Sequence, residues 1–168
     1  MISKHMLIDK IRAEVRILKH LASKATTPEL LNFRFSEHQR TTTQWLAYIA
    51  MIGSAAMKDM LLDDASGFET FMERYEAFDP ATFADSIDKD SVEVIAMLEA
   101  VSDEKLAEEK MMWGSITDTR AGHVLSVYNL YVAYKTQIFL QLKAAGLSQL
   151  GTMNLWAGID APVADQAA

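Results

Sequence analysis

The sequence contains no cysteine. That excludes disulfides, thiol nucleophiles and thiolate-held metals, and it is compatible with a reducing cytoplasm, the expected location. Proline and glycine are scarce, at three and seven of 168 residues. Few chain breakers, combined with plentiful Ala, Leu, Met, Glu and Lys, favour helix over strand. Positive charge is also in short supply: 16 Lys and Arg stand against 23 Asp and Glu, a formal net charge of −7. Such a chain repels phosphate backbones on average, and no basic stripe reverses this locally, so nucleic acid is not an expected partner. No run of about 18 uncharged apolar residues occurs, and no membrane span is expected. The first residues, MISKHMLIDKIRAEVRILKH, alternate charge with apolar side chains and lack a signal-peptide core.

What the chain does have is apolar content in helical register. Half of its residues are hydrophobic, enough for one domain with a substantial core. Leu7, Ile11, Val15, Leu18 and Leu21 recur every three or four positions, which predicts a helix over Ile2–Ser23, with Lys10, Arg12, Glu14, Arg16 and Lys19 mostly off the stripe. The connector KATTPELLNFRFSEHQR holds Pro28 and room for one short helical turn. Thr41 to Thr43 offer N-cap hydroxyls to the apolar segment QWLAYIAMIGSAAMKDML, read as one helix. A short helix begins near Ser66, and Asp79-Pro80 opens the next, since proline has no N–H to lose in a first turn. That helix is expected over Ala81–Val101, with Val92, Ile95, Met97 or Leu98, and Val101 turned inward. Ser102-Asp103-Glu104 caps a further short helix reaching Glu109. The last helix enters through Thr117–Thr119 and runs for about 28 residues, roughly 42 Å, to a stop at Gly146.

These patterns predict an all-α four-helix bundle with short extra helices in the connections. The expected division is a bundle over 1–150 and a tail over 151–168 that lies across the bundle through Leu155 and Trp156 and then frays. No internal repeat, phosphate-binding glycine loop, nucleophile elbow or HExxH metal motif is present. The acidic run from Ser102 to Lys110 reads as a solvated helix, and Asp63, Asp64, Asp88 and Asp90 as loop or capping acids. Of the four histidines, His5 and His20 read as surface residues of the first helix.

Two segments, SEHQRTTTQWLAYIAMIGSA and YNLYVAYKTQIFLQLKAAGL, resemble the DinB-like superfamily of four-helix bundles, which includes thiol-dependent transferases. The resemblance implies a zinc or nickel ion held by three histidines, one on the second helix and a pair spaced i, i+4 on the last. In this sequence the first of those positions is Tyr48 and the pair is Leu130 and Tyr134. Lys135 stands at the motif's basic position, Thr136 at its glycine, and Gln137 matches. An isobutyl group cannot ligate, and phenols with a reference pKa near 10 are poor ligands at neutral pH. No metal and no other cofactor is therefore expected.

The candidate site is the space beside Tyr48 and Tyr134. Trp45 shares the face of Tyr48. Leu130 precedes Tyr134 by one turn, and His123 precedes Leu130 by two turns on the same face. His38 reaches toward that end from the connector in a second reading with a relocated metal. The expected function is binding of a small apolar or thiol-containing ligand, or of a partner, in or beside the core. The alternative is a thiol-dependent transferase using Tyr48, Tyr134 or His123 in acid–base roles. A homodimer is implied by the resemblance.

Overall fold

The computed structural model describes residues 3–162. Helix α1 spans Lys4–Ala22, and the Ser3 hydroxyl accepts from the Met6 N–H as its N-cap. All five residues of the expected stripe are buried. Glu14 departs from the expectation: it follows Ile11 by three positions and precedes Leu18 by four, so it lies on the stripe, and it is buried too. Thr27 caps the short α2, Pro28–Asn32, with Pro28 in its first turn.

The apolar segment that reads as one helix is two. Helix α3, Thr42–Ile49, opens on a capping box in which the Thr41 side chain and Gln44 satisfy each other's backbone N–H groups. Met51 then leaves helical geometry (φ −142, ψ −13) and α4 runs over Ile52–Leu62. The bend falls just before Gly53 and Ser54, which enter a buried polar contact with Asp90 and Tyr131. The stretch Thr42–Leu62 is long and apolar enough to cross a membrane by length and composition alone, but most of it is buried inside the bundle.

Helix α5, Gly67–Glu76, lies against α4. A 3-10 turn at Pro80–Thr82, capped by Asp79, leads into α6, Phe83–Ala100. Its inward residues are Phe83, Ile87, Asp90, Ser91, Val94 and Leu98. Val92, expected inward, is exposed, because the inward stripe passes through Ser91 and Val94 and not through Val92. Asp90 is a core residue, not a loop or capping acid.

Ser102 caps α7, Asp103–Ala107. The chain then forms a feature absent from the helical reading: an antiparallel hairpin of β1, Glu109–Met112, and β2, Ile116–Thr119, with Met112 opposite Ile116. Trp113 and Gly114 both have positive φ (51 and 71), and the Ser115 N–H donates to the Met112 carbonyl, a tight turn of the type that matches strand twist. Thr117 and Thr119 thus belong to a strand, though Thr119 also caps α8, Arg120–Ala144, through the Gly122 N–H. The hairpin is fastened by Arg120, whose guanidinium donates to the Met60 carbonyl (2.6 Å), Asp63 (2.9 Å) and Glu108 (3.2 Å). Helix α8 stops as expected: Gly146 has φ +125, its N–H donates to the Lys143 carbonyl, and the Leu147 N–H donates to that of Leu142.

The four-helix core is a ring in which α1 packs on α6 and α8, and α4 packs on the same two helices. Helix α3 extends the α4 arm along α8. The tail crosses α1 through a π-helical turn at Met153–Ala157. Asn154 is its buried residue, and Leu155 packs at the core edge, whereas Trp156 is exposed. The expected fraying at the end of the tail falls outside the described residues. His20, read as a surface residue, is covered by this tail: the Asn154 amide lies 3.0 Å from its Nε2. The Arg16 guanidinium also donates to the Ala157 carbonyl, and Lys24 pairs with Asp160 at 2.7 Å.

Candidate functional site

Helices α3 and α8 bring Trp45, Tyr48 and Tyr134 together. Trp45 and Tyr48 lie one turn apart on α3, and Tyr134 faces both from α8. The Trp45 and Tyr134 rings stack at 4.5 Å with an interplanar angle of 30°. Tyr48 meets Tyr134 edge-on at 5.2 Å and 78°, and Trp45 at 6.3 Å and 84°. Phe71 of α5 backs Tyr48 at 5.6 Å, and Tyr75 backs Phe71. Offset and edge-to-face contacts of this kind align each ring's positive edge with its neighbour's negative face. The three rings are half-buried. Burial, followed by the neighbouring Tyr134, pushes the Tyr48 phenol up from its ordinary range, with Arg40 opposing. It holds its proton through neutral pH.

Arg40 completes the corner. Its guanidinium carbon lies 4.9 Å from the Trp45 centroid and 4.9 Å from the Tyr48 centroid. The loop that carries it is held from α8: the Gln141 side-chain amide donates to the carbonyls of Phe33 (2.9 Å) and Arg40 (3.2 Å). Gln137 in turn donates to the Gln141 side-chain oxygen at 3.3 Å. The one motif position that matches, Gln137, therefore supports the glutamine that positions Arg40.

Leu130 is half-buried against the core, one turn before Tyr134. His123 is buried, and its Nε2 donates to the Lys110 carbonyl at 2.8 Å. That bond ties it to the hairpin, away from the three rings. His38 is exposed beside Glu37. The Trp45 indole N–H is buried without a hydrogen-bond partner among the described residues.

Deeper in the bundle lie two polar contacts that the sequence reading did not identify. Asp90 accepts from the Ser54 hydroxyl (2.6 Å), the Ser54 N–H (3.0 Å) and the Tyr131 hydroxyl (3.1 Å). Burial is the dominant influence on this carboxyl and raises its pKa from 3.8 to about 6, against the pull of the Ser54 and Tyr131 donors. Gly53 makes the contact possible, since a Cβ there would run into the Tyr131 hydroxyl and Asp90. Lys135 pairs with Glu14 of α1 at 2.6 Å, both side chains nearly inaccessible, and its Nζ lies 5.3 Å from the centroid of the Trp156 ring. An open groove of about 530 Å³ between α1 and α6, with Lys19 and Asp88 among its walls, shares no residue with the aromatic corner.

No family model matches the sequence, and no curated protein matches it. The architecture does match. A crystal structure of a DinB-like protein, YjoA from Bacillus subtilis, superimposes with a TM-score of 0.69 over 87% of this chain and 96% of that one, at 14% identity. The chain has the DinB-like fold. At the positions that the sequence resemblance assigns to histidine stand Tyr48, Leu130 and Tyr134, two phenols and an isobutyl group. These side chains do not fit a zinc or nickel ion, which takes imidazole, thiolate or carboxylate donors at neutral pH. Among the described residues, no three His, Asp or Glu side chains cluster as a metal would require.

Proposed function

We propose that this protein is a metal-independent DinB-like bundle that binds a small ligand beside its core, at the corner formed by Trp45, Tyr48 and Tyr134. The observation that carries this reading is the corner itself. Three half-buried rings are fixed by one another's edges and faces, two bear hydroxyls, and a guanidinium lies on the outer faces. Apolar ring area with a few polar tips is what small-molecule sites use to bind and orient.

Fluorescence tests the reading. In a Trp113→Phe/Trp156→Phe background Trp45 is the remaining indole, and titration with small apolar and thiol compounds, glutathione among them, should change its emission saturably. No change with any probe would remove the corner as a site. Protein purified without an affinity tag should carry far less than one metal ion per chain; a tightly held stoichiometric transition metal would overturn metal independence.

The transferase alternative has less support. A phenol pushed up by burial is a weak general base, and His123 spends its Nε2 on the Lys110 carbonyl. If thiol transfer nonetheless occurs through Tyr134, Tyr134→Phe abolishes turnover with stability nearly unchanged. The proposal includes a homodimer. The hairpin exposes Met111, Trp113 and Ile116, apolar area of the kind that subunit contacts cover. Light scattering that gives a monomer mass at micromolar concentration would discard the dimer.

A further inference from the structure

Arg40 is exposed, yet its guanidinium is parked on two aromatic faces. The rings meet at an interplanar angle of 84°, so a cation seated between them feels the negative face of both. The ring faces are the contacts this guanidinium makes; among the described residues it has no carboxylate partner and no hydrogen-bond acceptor. The seat is also rigid. Tyr134 stacks behind Trp45, and Phe71 and Tyr134 fix Tyr48.

We propose that the Trp45–Tyr48 corner is a receptor for a methylated ammonium group, and that Arg40 occupies it as a tethered, displaceable stand-in. The chemistry of the seat selects this class. Its ring faces offer a cation no acceptor, so N–H donors seated there find no partner on the rings and depend on water at the exposed side. A trimethylammonium group has no N–H to leave unpaired and presents a broad, weakly hydrated surface to both rings. The formal charge of −7 draws cations toward the protein and opposes anions, which argues against Arg40 serving as an anchor for a carboxylate ligand. The proposal rests on the reading of this corner as the ligand site and adds the ligand's charge and class.

The probe is choline, with its neutral carbon isostere, in which a tert-butyl group replaces the trimethylammonium, as the comparison. Both are titrated into the full chain and into Arg40→Ala, with the ligand methyl proton resonance and Trp45 emission as readouts. Binding to the corner shifts the choline methyl resonance upfield through the ring currents. Arg40→Ala tightens choline binding by about three- to sixfold, the fold-change set by displacing one tethered, exposed ring–cation contact. The isostere binds at least about tenfold more weakly, the ring–cation attraction being absent. Tyr48→Leu, checked for retained helicity, abolishes the upfield shift. Where Tyr48→Leu does not fold, the comparison of choline with its isostere on Arg40→Ala decides alone. Equal binding of choline and isostere overturns the cation class while leaving the corner as a ligand site. Failure of both to bind Arg40→Ala overturns the proposal and counts against the site reading as well. Weakened choline binding in Arg40→Ala also overturns it, since Arg40 would then be part of the receptor and not its occupant.

Discussion

Tyr131 and Tyr134 lie one turn apart on α8 and show two ways of placing a phenol. Tyr131 is fully buried, and its hydroxyl donates to Asp90, which also takes both Ser54 donors. Tyr134 is half-buried, stacked on Trp45 and set against Tyr48, in a corner where the cation on top has no acceptor. Around Tyr131 each polar side chain is met by another, because an unmet one costs about 1–3 kcal/mol. At the corner Arg40 is exposed and water can solvate its guanidinium, so the ring faces stay available. The difference separates polar groups that hold the fold from aromatic groups free to meet a ligand.

The sharpest way to break that distinction is to unpair the interior. Lys135→Met leaves Glu14 buried without its partner and is expected to cost about 3–5 kcal/mol by chemical denaturation. Replacing both residues, Glu14→Leu with Lys135→Met, should recover most of that loss, since a packed apolar pair removes the uncompensated charge. If the single variant is neutral, the buried pair does not hold α1 to α8 and the comparison collapses.

Asp90 sharpens it through pH. Its folded pKa is raised from 3.8 to about 6, so the core favours the protonated carboxyl more than water does. The stability this contributes is fully present below the unfolded value and is lost as pH rises through the folded one. Wild type should therefore lose roughly 2–3 kcal/mol relative to Asp90→Asn between about pH 4 and about pH 7. The difference between the two proteins is the quantity to measure. Asp63, Glu108 and Asp160 are held below their usual range by cationic neighbours and act in the opposite sense, losing stability as pH falls, in both proteins alike. A difference independent of pH would mean that Asp90 titrates normally.

Helix order, most caps and the glycine stop were legible because each rests on local rules: a hydroxyl before an apolar run, a three-or-four spacing, a glycine able to take positive φ. The interior polar contacts were legible in part and misread. Glu14 and Asp90 stand on the apolar stripes of their helices, three or four residues from Ile11, Leu18, Ile87 and Val94, and spacing alone places them inward. Their partners Lys135, Ser54 and Tyr131 lie far along the chain, and no local rule pairs them. The hairpin escapes local rules because Thr117–Thr119 suit a helix start as well as a strand, and Trp113-Gly114 lacks the Asn or Asp that usually marks a turn with two positive φ values. The meeting of Tyr48 and Tyr134 followed from the family resemblance and not from spacing. Arg40 lies in the first of the two resembling segments, yet its place over Trp45 depends on a loop held by Gln141, which sequence does not reveal.

Gly53→Ala tests how tightly the interior is built around its polar contact. The added methyl group meets the Tyr131 hydroxyl and Asp90, which must separate or shift. Overpacking of this kind is expected to cost about 1–3 kcal/mol. It should also flatten the pH dependence assigned to Asp90, because a displaced carboxyl regains water. Loss of stability with the pH dependence intact would show that the methyl is accommodated elsewhere and that the contact survives.

The smallest effect is expected at the corner, and its smallness is the point. Arg40 is exposed and touches two ring faces, a contact worth about 0.5–1 kcal/mol at an exposed site. Its loop is tied to α8 through backbone carbonyls, which Arg40→Ala leaves in place. The variant should therefore lose no more than about 1 kcal/mol of stability while the Trp45 and Tyr48 faces open to solvent, visible as greater quenching of Trp45 emission by iodide. A loss comparable to that of Lys135→Met would make Arg40 a structural clamp like the interior pairs. The corner would then belong to the fold, and the contrast between Tyr131 and Tyr134 would carry no functional meaning.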